Sequence, residues 1–281
     1  MSTRVLAAAA ALLLGALGAR AADLPVRQAP PVVPPPLFSW SGCNVGFLTG
    51  YTWSDRNTVR TVGTTPGGVA AVAAGVRPGA FRVDYDGMTT IGGGVGCDWQ
   101  FTPGNGFVAG LAADGTWVNL ERRRAFTGPG PAFAEAGFRQ DLDTLGTVRG
   151  RLGYGFDRVL IYATGGFGFG DVYYRAGFFG GPRGTVLTQA GSFQGVETGW
   201  VAGGGIEYAI PEDSFLNYFS IVRLVGITSS APTLKFEYLH YDLGSRTIAV
   251  APQVPGAPGF ASRFRTEGNL IRGGFTYRFG L

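Results

Sequence analysis

Residues 146–170, GTVRGRLGYGFDRVLIYATGGFGFG, read as two strands joined by a tight turn at Gly155-Phe156-Asp157-Arg158. Side chains on a strand alternate between its two faces. Val148, Leu152 and Tyr154 therefore share one face of the first strand, and Arg149 and Arg151 share the other. Two arginines inside an apolar strand leave two solutions. A soluble sandwich puts the arginines in water and the apolar face in a core. A membrane barrel turns the apolar face to lipid and the arginines to the lumen.

The same alternation recurs along the chain. From Gly42 to Trp53, Cys43, Val45, Phe47, Tyr51 and Trp53 lie on one face, opposite Asn44, Gly46, Gly50 and Thr52. From Val83 to Phe101, Ile91, Val95, Trp99 and Phe101 oppose Asp84, Asp86, Asp98 and Gln100. From Phe107 to Trp117, Phe107, Leu111 and Trp117 oppose Asp114 and Thr116. After the two strands of 146–170, Gly199–Ile210 places Trp200, Ile206 and Tyr208 opposite Glu207. Thr233–Asp242 places Leu234, Phe236 and Tyr238 opposite Lys235 and Glu237. Arg265–Phe279 closes the series with Ile271, Phe275, Tyr277 and Phe279 on one face. The pattern predicts eight strands, each with one apolar face and with large aromatics toward the ends.

The connections alternate as well. They are short at 102–106 and 155–158 and long after the first, third, fifth and seventh strands. Segments of about ten residues, aromatic girdles and alternating short and long connections describe an outer-membrane barrel. An all-β chain forming an eight-stranded antiparallel transmembrane barrel is the fold expected. The long segments Thr61–Phe81, Arg122–Arg139, Arg175–Phe193 and Arg246–Arg263 are rich in Gly, Pro and Ala and offer little core, so they are expected outside the cell or mobile.

The start of the chain sets the compartment. Arg4, the apolar run VLAAAAALLLGALGA and the Ala19-Arg20-Ala21 site form a secretory signal peptide over 1–21. Residues 22–39 carry six prolines between Pro25 and Pro36 and predict an extended periplasmic lead-in, with the barrel in 40–281. No later apolar run reaches the ~18 residues of a spanning helix. The 48 glycines argue against helices. Net charge is +4, or +2 without Arg4 and Arg20, too small for an electrostatic footprint on nucleic acid.

The blocks ADLPVRQAP, FSWSGCNVGFLTGYTW, LGTVRGRLGYGFDR, GWVAGGGIEYAI, LKFEYLHYDLG and LIRGGFTYRF resemble, in order, the small outer-membrane β-barrel or "porin family" proteins of alphaproteobacteria. The resemblance spans nearly all of the mature chain. It implies an eight-stranded barrel in the cell outer membrane with structural, surface-exposed and antigenic roles. It also implies lipid and the barrel assembly machinery as partners. Some members are described as binding haem or forming weak pores. The chain departs from the family at Cys43 and Cys97, where aromatics are usual, and at 211–232, where a short turn is usual. Two extra short strands there, making ten, are conceivable. It departs again at its end, where Gly280 and Leu281 follow Phe279.

The candidate site residues follow from the facing. Arg149 and Arg151 point into the lumen, where Asp114, Glu207 and Glu237 are available as partners and Lys235 shares the inward face. A buried charge has to pair or stay hydrated. A structural network is the first reading and a gated ion path the sharper one. If Tyr51 lies opposite Thr89, then Cys43 meets Cys97 and a disulfide is possible; a slip of two residues keeps the facing and separates them. His240 is the only histidine, with Asp242 on the same outward face and Ser245 placed beyond the strand end. That arrangement supplies no catalytic site, and the sequence calls for no metal and no cofactor.

Overall fold

The computed structural model of the protein describes residues 37–54, 57–82, 85–127, 135–181, 184–211, 214 and 230–279. The expected signal segment 1–21, most of the expected lead-in 22–39, most of the 211–232 segment, and Gly280 and Leu281 lie outside the described residues. The elements are β1 (Gly42–Ser54), β2 (Thr58–Gly63), α1 (Pro66–Ala73), β3 (Ala80–Arg82), β4 (Tyr85–Gln100) and β5 (Asn105–Thr127). Then come β6 (Glu135–Phe156), β7 (Val159–Gly180), β8 (Val186–Ala209), β9 (Ser230–Pro252) and β10 (Phe260–Phe279).

Eight strands close on themselves in the order β1-β4-β5-β6-β7-β8-β9-β10, all antiparallel, because β1 pairs with β10 as well as with β4. The closing seam runs from Cys43↔Phe279 to Trp53↔Asn269 without a bulge. On its other edge β1 places Tyr51 opposite Thr89 and Cys43 opposite Cys97, whose sulfurs are 2.09 Å apart. The tight turn between β6 and β7 is made by Asp157, with φ of 50°, a left-handed conformation that Asp tolerates.

The strands are much longer than the alternating segments of the sequence suggest. β8 has 24 residues and β5 and β9 have 23, whereas a tilted strand needs ~9–11 to cross the hydrocarbon. About half of each long strand therefore stands beyond the lipid. β10 shows the consequence in one unbroken run. Toward the chain terminus it faces outward with Ile271 and Phe275 and inward with Arg272 and Arg278. Toward its start it faces inward with Phe260, Phe264 and Leu270 and outward with Arg263 and Arg265. The strand geometry does not change. What changes is the medium outside it, from lipid to water, and the composition of the two faces exchanges to match.

The far half of the barrel is thus a water-soluble barrel with an apolar interior. Leu120, Phe138, Leu142, Tyr174, Phe178 and Phe264 are among its buried residues. Tyr174 stacks on Phe264 at 4.9 Å between ring centroids, and Phe178 meets Phe260 edge to face at 5.1 Å. This corrects the expectation that 175–193 and 246–263 are loops with little core. β7, β8, β9 and β10 run through them, leaving only short connections at 181–185 and 253–259. Ala176 and Phe178, and Ile248 and Val250, are inward residues separated by a single glycine or alanine, a composition that gives no contrast between the two faces.

The segment between β1 and β4 also folds. β2 pairs with the start of β10, from Phe260↔Gly63 to Arg263↔Arg60, and β3 pairs with β2. α1 starts at Thr65, whose hydroxyl accepts from Gly68 N at 3.3 Å, with Pro66 in the first turn. Ala71 and Val72 of α1 and Phe81 of β3 pack on the far core, and Phe81 stacks on Phe138 at 5.8 Å.

Three outcomes follow from this layering. Phe275→Arg, on the lipid face, should lower folding yield in liposomes by about 2–4 kcal/mol of lost stability, while Ala125→Arg on the water-facing part of β5 should fold like the parent. Phe264→Ala in the far core should cost about 3–5 kcal/mol in denaturant unfolding, although it lies just beyond 246–263 and before the strand that the sequence predicts from Arg265. Non-reducing peptide mass spectrometry of the protein should recover Cys43 and Cys97 linked; two free thiols would contradict the disulfide.

Candidate functional site

The lipid-spanning half of the barrel has an interior just wide enough for side chains to fill. Six of the eight ring strands project a charge into it: Asp98 from β4, Asp114 from β5, Arg149 and Arg151 from β6, Glu207 from β8, Lys235 and Glu237 from β9, and Arg272 and Arg278 from β10. None of these side chains is more than 8 % exposed, so each must find its partners inside the wall.

They do so in two tiers. In the tier nearer the apolar core, Arg149 and Arg272 each bind both Asp114 and Glu237. Arg149 reaches Asp114 Oδ2 at 2.5 Å and Glu237 Oε1 at 3.0 Å, and Arg272 reaches Asp114 Oδ1 and Glu237 Oε2 at 2.6 Å each. In the tier nearer the termini, Arg151 and Arg278 share Glu207 and Asp98 in the same way. Arg151 lies 2.6 Å from Glu207 and 3.3 Å from Asp98, and Arg278 lies 3.3 Å and 2.9 Å from them. Like charges occupy opposite corners of each square, so every edge is attractive and every planar guanidinium spans two carboxylates.

Lys235 joins the tiers, with Nζ 3.4 Å from Glu237 and 3.8 Å from Glu207. Tyr162 of β7 completes the link. Its hydroxyl donates to Glu237 Oε1 at 2.9 Å, and Arg151 lies over its ring at 4.0 Å. Thr147 Oγ1 donates to Asp114 Oδ2 and accepts from Arg149 Nε, at 2.9 and 2.8 Å. The tier near the termini is the less fully bonded. Asp98 Oδ1, Arg151 Nε and Arg278 Nε have no hydrogen-bond partner among the described residues.

Glycine makes the tiers possible. Gly110 stands directly opposite Asp98, and a Cβ there would lie 2.0 Å from Asp98 Oδ1. Gly166 stands opposite Arg149, and a Cβ there would lie 2.7 Å from Arg149 Cα. Gly166 of TGGFGFG thus makes room for the arginine.

At the end of the barrel where β1 begins and β10 ends lies Trp40, which is fully buried. Its backbone N–H donates to Gln100 Oε1 at 2.7 Å and its indole N–H to Asp157 O at 2.9 Å. Arg278 donates to Trp40 O at 2.7 Å and lies 5.0 Å from its ring. Trp40, the two charged tiers and the far apolar core thus follow one another along the barrel interior.

Asp114, Arg149, Arg151, Glu207, Lys235 and Glu237 all lie in this network. Sequence reasoning placed Asp98 on the polar face of its strand but left it out of the network, and it omitted Arg272 and Arg278, which lie on the even, inward face of β10. Parity, extended to the last strand, would have found the two arginines. One placement needs correction: Ser245 lies inside β9 and not beyond the strand end. Its hydroxyl accepts from Arg263 at 2.6 Å, while His240 pairs with Asn269 Oδ1 at 3.0 Å and packs on Trp200 at 5.3 Å. His240 and Ser245 are thus committed to different partners.

No family model matches the chain. It is 28 % identical over 253 residues to the 31 kDa outer-membrane immunogenic protein of Brucella melitensis, across 88 % of this chain and 90 % of the relative. The protein of the same description from Brucella suis matches equally. Among solved structures, the outer membrane protein OprG of Pseudomonas aeruginosa covers 86 % of this chain and 97 % of its own at a TM-score of 0.42 and 11 % identity. The outer membrane protease OmpT of Escherichia coli covers 86 % and 98 % at 0.38 and 8 %. Likenesses at that level carry no argument about activity, and the fold rests on this chain's own strand order and register. With that closed ring and with relatives of that description, the chain is an outer-membrane β-barrel protein that resembles the small outer-membrane barrels of alphaproteobacteria.

Proposed function

We propose that the protein is a structural, surface-exposed barrel whose lumen is closed and does not conduct. The observation that carries this reading is the stacking of two fully paired charge squares between Trp40 and the far apolar core. An ion entering the lumen would have to displace a carboxylate from two arginines at once, at each of two levels. The description of the Brucella relatives as immunogenic supports the surface role, since half of this wall stands beyond the lipid. Lipid of the outer membrane surrounds the apolar band, and the assembly machinery is the partner that would insert it. No catalytic role is proposed.

Planar-bilayer recording on refolded protein tests the reading. The parent should give no steady single-channel steps. Regular steps that persist across preparations would overturn it.

A second test addresses the network as structure. Arg272→Ala leaves Asp114 and Glu237 sharing one arginine and should cost about 3–5 kcal/mol in unfolding. The paired change Arg272→Met with Glu237→Leu should recover part of that loss, because it removes charges of both signs.

A further inference from the structure

The outward face of the far half carries a second cationic cluster that the closed lumen does not use. Arg263 on β10 is directly opposite Arg60 on β2, and Arg265 lies two residues along the same outward face. These three arginines, with Thr58, Ser245 and Asp242, line an open cavity of about 470 Å³ on the barrel wall. Like charges directly opposed across a strand pair are unfavourable, so this pairing needs a reason.

The cluster is built, not incidental. Arg265 is held by Asp242 at 2.6 Å and by Glu267 at 3.0 Å. Arg263 is held by Ser245 Oγ through Nε at 2.9 Å and Nη2 at 2.6 Å. Asp242 and Ser245 are three residues apart and would face opposite sides of a regular strand. A bulge brings both to the same side: β10 shifts register on β9 between Arg265↔Ser245 and Glu267↔Asp242, and Gly244 takes φ of 81°. Gly244 N also donates to Asp242 Oδ1 at 2.9 Å. Among the described residues neither Arg60 nor Arg263 has a carboxylate partner. The bulge thus anchors one arginine with acids and orients another with a hydroxyl, leaving two guanidiniums facing an open cavity.

The height of the cluster identifies what it meets. Asn269 accepts from Tyr238 OH at 2.7 Å and lies opposite Trp53 and His240, and so marks the aromatic belt. Arg265 and Arg263 are four and six residues farther along β10. At ~3.3 Å per residue and a tilt of ~40°, that is about 10 and 15 Å beyond Asn269, and the belt itself reaches up to the base of the cluster, because the exposed Trp200 of β8 lies opposite Asp242, the acid that holds Arg265. Ser245 and Arg265 border the water-facing end of the lipid band, where a membrane lipid can reach them from the side.

We propose that Arg60, Arg263 and Arg265 form a binding site for a phosphomonoester carried by a lipid of the outer leaflet. Paired guanidiniums suit a phosphate dianion, which accepts two-point hydrogen bonds from each.

The test uses the full refolded chain in phosphatidylcholine nanodiscs doped with diphosphorylated lipid A, with retained lipid counted by native mass spectrometry. The parent should retain lipid A and should not retain its dephosphorylated form. Arg60→Gln with Arg263→Gln should lower retention at least about tenfold, whereas Arg124→Gln, an exposed arginine on β5, should leave it unchanged. Arg60→Gln alone serves as the milder variant, and the shift in electrophoretic mobility on heating reports that each is folded. Equal retention by parent and double variant, or of both lipid forms, overturns the proposal. So does an inorganic phosphate arm in which phosphate without lipid A raises the unfolding temperature of the parent but not of the double variant, since the site would then take free phosphate. No such rise, with lipid A retained, supports the lipid as source.

Discussion

Hydrocarbon leaves no backbone polar group unpaired without a cost of several kcal/mol, so a spanning sheet has to close. The seam between β1 and β10 is where this chain meets that demand, with an uninterrupted register from Cys43↔Phe279 to Trp53↔Asn269. Everything else follows from closure. Eight strands fix the interior at the width of packed side chains. Alternation fixes which residues enter it. The second edge of β1, on β4, is fixed by ladder pairing and carries the Cys43–Cys97 bond.

The strands keep one geometry while their surroundings change twice, outside from lipid to water and inside from ion pairs to an apolar core. Within the lipid the outward positions have to be apolar. Inward apolar residues at the same levels would turn each segment into a continuous apolar run of about ten residues with no contrast between its two faces. Charged inward residues avoid that, at the cost of desolvating nine ions. Buried ion pairs are rarely more stabilising than apolar packing. Their arrangement in squares bridged by Lys235 and Tyr162 is a way to satisfy them. Beyond the lipid the constraint lapses, and Phe138, Tyr174, Phe178 and Phe264 fill the same interior.

The wall of the far half is irregular where the inner half is not. β5 loses β4 as a neighbour beyond Trp117, at a bulge where Asn119 has φ of 45°. That edge of β5, which pairs with no strand among the described residues, carries Arg123 and Arg124, and charge on an exposed edge discourages pairing with another chain. β2 takes over the flank of β10 where β1 ends. Bulges here re-aim side chains, as Gly244 does for Asp242 and Ser245.

The sequence by itself determined the barrel and the facing of its lipid-spanning half, because period-2 alternation is local and a one-residue slip would turn every side chain to the wrong medium. Val45, Phe47 and Phe275 could be placed outward, and Arg149 and Arg151 inward, from their neighbours alone. Three things needed the tertiary structure. Which carboxylate each arginine meets depends on the stagger of strands far apart in the chain, so Arg272 and Asp114, 158 residues apart, pair only once the ring has closed. The far core escaped notice because its apolar residues lie among glycines in segments of loop-like composition, and only burial reveals that they share a face. The outward arginine cluster depends on β2 reaching β10 and on a bulge at Gly244, and neither strand docking nor a bulge leaves a periodic trace in the sequence.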